Sequence, residues 1–476
     1  MCGIAGILEL NKNKSVSYKS LKKMSDTIIR RGPDDDGIFI NNDKNLGFSF
    51  RRLSIIDLKL GQQPMSDQSG NIWIVFNGEI YNHGALRSIL KDRGYQFKTK
   101  CDTEVIIYAY KEWGEECVHK FRGMFAFSIW DNILKKMFMA RDRLGIKPLY
   151  FLHVGSRLIF SSEIKAIITI INKNEVLLDE EAFYHYLTLS VTPAPSTMFK
   201  NIKKLKPGHT LTISQNGKIK YKKYWNPKKY ITNTKNFDQN YIINKLRALL
   251  DESIKLRMIS DVPFGAFLSG GIDSSLNVAL MNKNMDNSVD TFSVSIKNDA
   301  LSDERSEAKK VSNHFKTNHK EIEISSKDFI NVLPEIVKFQ DEPLADPVCI
   351  PLYFVSKLAR ENGTYVIQVG EGADEIFAGY GLYGFYNDFN KYYKTFSNFP
   401  SLLKSTITGI SKYLLPNKKY KYIEYANSNK ELFWGGATSF YENEKKNLLK
   451  KSYGFDTYEN HIKPIYDDYD SYNHNY

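Results

Sequence analysis

A thiol stands one residue from the start of the chain, at Cys2, in the apolar, glycine-containing run Met1-Cys2-Gly3-Ile4-Ala5-Gly6-Ile7-Leu8. Removal of the initiator methionine before a small residue would leave this thiol beside a free α-amine, whose ordinary pKa of about 8 lets it serve as base for its own nucleophile. No separate histidine is then needed. A second apolar run, Ile72-Trp73-Ile74-Val75-Phe76, reads as a buried strand ending at Asn77-Gly78. Such an end can present a side-chain amide and an unshielded backbone N–H to one point, as an oxyanion hole requires. A third run, Val262 to Leu268, delivers Ser269-Gly270-Gly271-Ile272-Asp273-Ser274-Ser275 and then the apolar Leu276 to Leu280, a pattern of strand, glycine turn and helix start. Two glycines let backbone approach a ligand, Ser274 and Ser275 can cap the helix, and the free N–H groups at its start favour a polyphosphate. Asp273 would repel that anion unless a hard cation lay between them, so it is a candidate Mg²⁺ ligand. No G-x-x-x-x-G-K-[ST] P-loop is present. Each feature also has an ordinary structural reading: a buried strand cysteine, an Asn-Gly hairpin turn, a helix N-cap.

The elements around these residues follow from pattern. Leu21, Met24 and Ile28 share a helical face before the breaker-rich loop Arg30 to Gly37. After the proline-rich Thr192 to Thr197, the tract Ile202 to Trp225 with its Asn216-Gly217 turn reads as a hairpin. Ile242, Leu246, Leu249, Leu250 and Ile254 recur at helical spacing over residues 241–258. Val289 to Ile296 reads as the next strand of a parallel sheet, and Asp303-Glu304 as the start of an Ala/Lys-rich helix. Strand Thr364 to Val369 then delivers Gly370-Glu371-Gly372-Ala373-Asp374-Glu375. The missing third glycine and the carboxylates exclude a dinucleotide fingerprint, and the acids could merely cap a helix.

Composition excludes several classes. With 476 residues, 42% hydrophobic and 25% charged, the chain is expected to be a soluble globular protein of two or three domains. The net charge of +12 comes from 66 Lys and Arg against 54 Asp and Glu, but the lysines fall in scattered pairs such as Lys222-Lys223, with no basic stripe for nucleic acid. Cys2, Cys101, Cys117 and Cys349 lie far apart, without metal-ligand spacing, which predicts a reducing, cytoplasmic setting. Polar residues interrupt the first thirty positions, and no run has the length of a membrane span, so neither a signal peptide nor a membrane partner is expected.

Seven motifs follow one another in a single order: Cys2-Gly3-Ile4; R-G-P-D-x-x-G at 31–37; R-R-L-S-I-I-D at 51–57; N-G-E-I-Y-N at 77–82; Cys101-Asp102-Thr103-Glu104; Arg122 to Phe127; and Arg141 to Tyr150. Together they resemble the glutaminase domain of class II glutamine amidotransferases, specifically that of glutamine-hydrolysing asparagine synthetases. The string S-G-G-I-D-S-S looks like the pyrophosphate loop of ATP pyrophosphatases, and G-E-G-A-D-E resembles the synthetase segment G-[ED]-G-x-D-E. The upstream Asp341-Glu342-Pro343-Leu344-Ala345-Asp346-Pro347 matches the same pattern.

The resemblance implies an α/β chain: an N-terminal-nucleophile αββα sandwich followed by a parallel-sheet, ATP-pyrophosphatase-like domain. Cys2 would attack the glutamine side-chain amide. Asn77 and Gly78 would stabilise the oxyanion, Arg52 would hold the α-carboxylate, and Glu79 and Asp102 the α-amine. ATP would lie on Ser269, Gly270, Gly271, Asp273, Ser274 and Ser275, with Val294 and Gly370 at the nucleotide, Asp273 and Asp374 around Mg²⁺, and Glu371 facing the acyl-adenylate. Substrates would be glutamine, aspartate and ATP, with another acceptor carboxylate, sugar or peptide, as the alternative. Phe50 departs from the histidine many relatives carry there, and Gln368-Val369 from a Leu-Ser pair. Expected boundaries are 1–200 for the glutaminase domain, 201–239 for a linker and hairpin, 240–465 for the synthetase domain, and 466–476 for a disordered tail. Relatives continue past this point to a lysine with no counterpart here. That difference raises two further expectations: a homodimer or completing partner chain, or a regulatory subunit that makes no amide.

Overall fold

The computed structural model describes residues 1–230, 238–297 and 304–470. They divide into two compact units, one formed by Met1–Asp179, Ala194–Pro343 and Pro347–Val369, the other by Glu180–Pro193, Leu344–Asp346 and the chain from Gly370 onward. Asp303, expected to open a helix, lies outside the described residues; the helix itself runs Arg305–Phe315.

The first unit begins with twelve strands: β1 (Gly3–Glu9), β2 (Asp35–Ile40), β3 (Leu46–Arg52), β4 (Met65–Ser66), β5 (Ile72–Ile80), β6 (Gly123–Asp131), β7 (Lys136–Arg141), β8 (Tyr150–Val154), β9 (Arg157–Ser161), β10 (Ile202–Lys204), β11 (His209–Ser214) and β12 (Ile219–Lys223). They pair as two antiparallel sheets, in the order β10-β8-β9-β1-β3-β2 and β12-β11-β7-β6-β5-β4. Between the sheets lies a core of Ile4, Phe48, Phe50, Val75, Trp130, Met139 and Phe160. Helix Tyr18–Thr27 and the turn of helix Ile164–Ile168 cover the outside of the first sheet through Leu21, Met24 and Ile164. Helices His83–Asp92 and Asp102–Trp113 cover the second through Leu86, Val105 and Ile106. This is an αββα sandwich. Both faces of each sheet are covered, which is why β1 and β3 are buried at every residue and read as continuous apolar runs with no alternation. Each fully buried Phe in these layers contributes about 1.5–3 kcal/mol.

Two boundaries differ from the sequence expectation. The hairpin expected within the linker region from 201 does form, but as part of the sandwich: β10 pairs Ile202 with Leu152, and the β11–β12 hairpin joins β7 through Leu211 and Met139. Its inward residues Ile202, Leu211 and Ile213 are buried, and that apolar face is what recruits it. The C-terminal stretch is helical over Lys463–Asp470, where the Tyr466 hydroxyl donates to the Phe433 carbonyl at 2.8 Å and the ring packs on the Trp434–Tyr458 cluster. The run Tyr466-Asp467-Asp468-Tyr469-Asp470 looked polar, but Tyr466 has a partner. Residues 471–476 lie outside the described residues.

The first unit continues with a parallel sheet of β13 (Phe264–Phe267), β14 (Asp290–Ile296), β15 (Asn318–Ile324) and β16 (Val366–Gln368), in the order β15-β14-β13-β16. Helices Ile272–Lys283 and Arg305–Phe315 pack on one face through Ala266, Leu268, Val278 and Ala308. Helix Cys349–Glu361 packs on the other through Phe292, Val355 and Ala359. The chain leaves β13 towards β14 and returns on the opposite side as β16, so the strand order reverses between β13 and β16. A crevice outside the carboxyl ends of such strands is where open α/β sheets take ligands.

In the second unit, helices Gly381–Ser397 and Asn417–Asn427 surround Tyr393, Tyr425, Leu432 and Trp434. Among the described residues no helix is long and apolar enough to cross a membrane, and all four cysteines are free.

Candidate functional site

Cys2 immediately precedes β1, and Leu53 immediately follows β3, its antiparallel neighbour paired from Gly3 to Arg51. That register brings the Cys2 Sγ to 3.4 Å from the Leu53 N–H and 3.6 Å from the Leu53 carbonyl. Met1 is in place, so the Cys2 nitrogen is an amide and the free amine lies one residue away. Asn77 and Gly78 are not at a strand end as expected: β5 runs on to Ile80, with Asn77 opposite Ala126 and Gly78 opposite Phe125. Asn-Gly is a turn signal locally, but nine consecutive pairs with β6 hold it extended.

The period of a strand then decides where these side chains go. Val75 belongs to the inter-sheet core, so Asn77 and Glu79, two and four residues on, share its face. Both polar atoms of the Asn77 side chain are buried with no hydrogen-bond partner among the described residues. Buried amides are almost always paired, so an orphan here marks a place for a ligand. Gly78 cannot be replaced freely, because a Cβ would run into the Met124 carbonyl oxygen and lie 2.7 Å from the Phe125 Cα.

Asp102 opens helix Asp102–Trp113 and accepts the Ile80 N–H at 2.9 Å, which ties that helix start to the end of β5. Its carboxyl lies close enough to that of Glu79 for the two charges to act on each other. Burial pushes Asp102 up to about 6. Burial, and then the Asp102 charge, push Glu79 well above the usual carboxylate range. Two carboxyls held together out of water retain a proton between them until a cation arrives. Arg52 is buried, and its guanidinium donates to the carbonyls of Leu58 at 3.1 Å and Asp57 at 2.7 Å, shaping the loop after β3. Burial raises the Cys2 thiol pKa and lowers that of the Met1 amine to about 5.

Pattern reading gave no role to several groups found here. Lys147, buried and lowered to about 8 chiefly by burial and then by Arg31, is close enough to Glu79 and Cys2 for their charges to act on it. Asp142 accepts the N–H groups of Leu144, Ile146 and Lys147 at 2.9–3.1 Å and so builds the loop that carries that lysine. Arg31 donates to the Cys2 carbonyl at 3.0 Å and pairs with Glu163 at 3.1 Å. A lysine in an otherwise apolar stretch, Ile146-Lys147-Pro148-Leu149, was the one available signal.

The second candidate locus is the loop after β13. Gly271 caps helix Ile272–Lys283, so Ser274 and Ser275 lie inside its first turn and do not cap it as expected. The Ser269 hydroxyl accepts the Gly271 N–H at 3.2 Å and lies 2.9 Å from the Ser274 hydroxyl. Gly270 has φ +89° and backs onto helix Arg305–Phe315, where a Cβ would lie 2.6 Å from the Ala308 nitrogen. The Ser275 hydroxyl is buried without a partner among the described residues. Asp273 sits in the first turn. Val294 lies in β14, paired with Ile322.

Gly370, Glu371 and Asp374 belong to the second unit, whereas Asp273 belongs to the first. There, Gly372 (φ +85°) starts the short helix Ala373–Phe377, Glu371 is exposed, and the Asp374 carboxylate lies against Gly379, where a Cβ would meet it. Among the described residues no group of three or more His, Cys, Asp or Glu could hold a metal.

Comparison with known proteins covers both halves. The family model for the glutamine amidotransferase domain matches residues 1–225, and that for asparagine synthase matches residues 245–454. The chain is 37% identical to asparagine synthetase [glutamine-hydrolyzing] 1 of Bacillus subtilis over 94% of its own length and 70% of that relative's. It is 38% identical to a putative asparagine synthetase [glutamine-hydrolyzing] 2 of Methanocaldococcus jannaschii, over 80% of this chain and 76% of that one. Asparagine synthetase B of Escherichia coli is 30% identical, over 80% of this chain and 65% of that one. With a glutamine amidotransferase domain over residues 1–225, an asparagine synthase domain over 245–454 and 37–38% identity to such relatives, the chain belongs to the family of glutamine-hydrolysing asparagine synthetases.

Proposed function

We propose that the chain makes asparagine from aspartate, with ammonia cut from glutamine and ATP as the activating reagent. Once Met1 is removed, the Cys2 thiol attacks the glutamine side-chain amide with its own α-amine as base. The Asn77 amide and the Gly78 N–H receive the oxyanion, Glu79 and Asp102 hold the substrate ammonium, and Arg52 its carboxylate. The observation that carries this reading is the Asn77 side chain, buried on the inter-sheet face with both polar atoms unpaired, on the same face as a carboxyl pair suited to an ammonium.

ATP takes the Ser269–Ser275 loop, whose glycine turn, helix N-terminus and unpaired Ser275 hydroxyl suit a pyrophosphate. Mg²⁺ commonly keeps water and phosphate oxygens and takes only one or two carboxylates, so Asp273 is a sufficient donor on this loop. Bound there, the cation would neutralise the phosphate charge. Val294 and Gly370 are assigned to the nucleotide, Asp374 to the metal and Glu371 to the β-aspartyl adenylate, on motif identity. The products are asparagine, AMP, PPi and glutamate. Four free cysteines support a reducing, cytosolic setting.

The test is Cys2→Ala. Glutamine hydrolysis should vanish while ammonium-driven, aspartate-dependent PPi release continues. A variant that still hydrolyses glutamine would remove Cys2 from its role.

A further inference from the structure

Two consecutive carboxylates at the end of helix Ser326–Phe339 plug into the amidotransferase sandwich. Asp341 accepts the Ile164 N–H at 2.5 Å, and its other oxygen lies 3.3 Å from the Lys165 ammonium. Glu342 accepts the Met198 N–H at 2.7 Å and pairs with Lys204 at 3.0 Å. All four of these charged side chains are a quarter exposed or less, so the pairs are far less screened than surface ones.

Only the first plug leads further. Lys165 also pairs with Glu163 at 2.9 Å and donates to the Phe339 carbonyl at 2.9 Å. Glu163 pairs with Arg31 at 3.1 Å, and Arg31 donates to the Cys2 carbonyl at 3.0 Å. A continuous strap therefore runs Asp341, Lys165, Glu163, Arg31, Cys2. Among the described residues Glu163 is the ion-pair partner of Arg31, and the Arg31 Nη2 is buried without a hydrogen-bond partner. Glu342 belongs to the same junction, where it is held by Met198 and by Lys204 of β10.

We propose that Asp341 is a positioning residue for the nucleophile: acting through Lys165, Glu163 and Arg31, it fixes the Cys2 backbone so that the thiol stays against Leu53. The inference rests on the reading of Cys2 given above. It means that the parallel-sheet half of the unit helps set the geometry of the glutamine-cleaving half. Buried ion pairs that lose one partner leave the other uncompensated, so neutralising Asp341 frees Lys165 to pull Glu163 away from Arg31.

The experiment compares full-length wild type, Asp341→Asn and Glu342→Gln. Two readouts are taken: the rate of Cys2 alkylation by iodoacetamide, followed by peptide mass spectrometry, and the kinetics of glutamine hydrolysis. Asp341→Asn should alkylate Cys2 at least threefold faster and hydrolyse glutamine with kcat about tenfold lower and KM nearly unchanged. Glu342→Gln, which weakens the same junction, should leave both within twofold of wild type. Equal behaviour of the two variants, or no change in Asp341→Asn, overturns the proposal. Faster Cys2 alkylation of Asp341→Asn alongside a wild type that never hydrolyses glutamine would uphold the strap and remove the glutaminase reading instead.

Discussion

A buried amide with neither polar atom bonded, such as that of Asn77, costs the empty protein free energy that a bound ligand can restore. Asn77→Ala should lower kcat for glutamine hydrolysis roughly 100- to 1000-fold, about 2.7–4 kcal/mol, with little change in KM, because the lost contact forms only as the oxyanion develops. Equal losses at kcat and KM, each tenfold or less, would assign Asn77 to substrate binding. The Glu79–Asp102 pair makes a pH prediction. Both carboxyls must be ionised to hold an ammonium, and burial raises both, so KM for glutamine should rise as pH is lowered, most steeply below about 6, where Asp102 also takes up its proton. Stability runs the other way. A carboxyl raised on folding binds its proton more tightly in the native state, so the empty protein loses stability as pH climbs from the unfolded value near 4 to about 6. Asp102→Asn should therefore raise the thermal midpoint at pH 8 but not at pH 4, while weakening glutamine. Cys2, Asn77 and Glu79 could be named as candidates because their motifs are contiguous; Lys147 and Glu163 could not, since only the fold brings Lys147 near Cys2 and links Glu163 to it through Arg31.

At the scale of elements, the Ser269–Ser275 loop depends on a close approach. Gly270 combines φ +89° with a helix backbone where its Cβ would be. Gly270→Ala should push the loop away from helix Arg305–Phe315 and abolish ATP-dependent PPi release, with glutamine hydrolysis kept within twofold. Loss of both activities together would contradict that separation and indicate a general folding defect. Elements with strong local patterns were readable: the β5 apolar run, the β11–β12 hairpin and the helix over Gln239–Arg257. What sequence could not say is which sheet a short strand joins. The β10 strand has three residues, and only its pairing with β8 shows that it completes the sandwich. The Asn77-Gly78 step was misread as a strand end for the same reason, because its extension comes from β6 and not from its own propensity.

Taken whole, the molecule is proposed to cut an amide nitrogen from glutamine and place it on an ATP-activated carboxylate within one chain. Keeping the two steps in one protein has a chemical motive, since ammonia released into neutral water is protonated and stops being a nucleophile. The Asp341–Glu342 junction gives the sandwich and the parallel sheet a shared, largely buried set of ion pairs. The most direct test supplies purified full-length protein with ATP, Mg²⁺, aspartate and glutamine labelled with ¹⁵N in the side-chain amide, and then follows label and PPi together. A single chain doing both steps will yield ¹⁵N-asparagine and PPi in equal amounts, with glutamate formed at least as fast. Glutamate without PPi, or asparagine free of label, would contradict it.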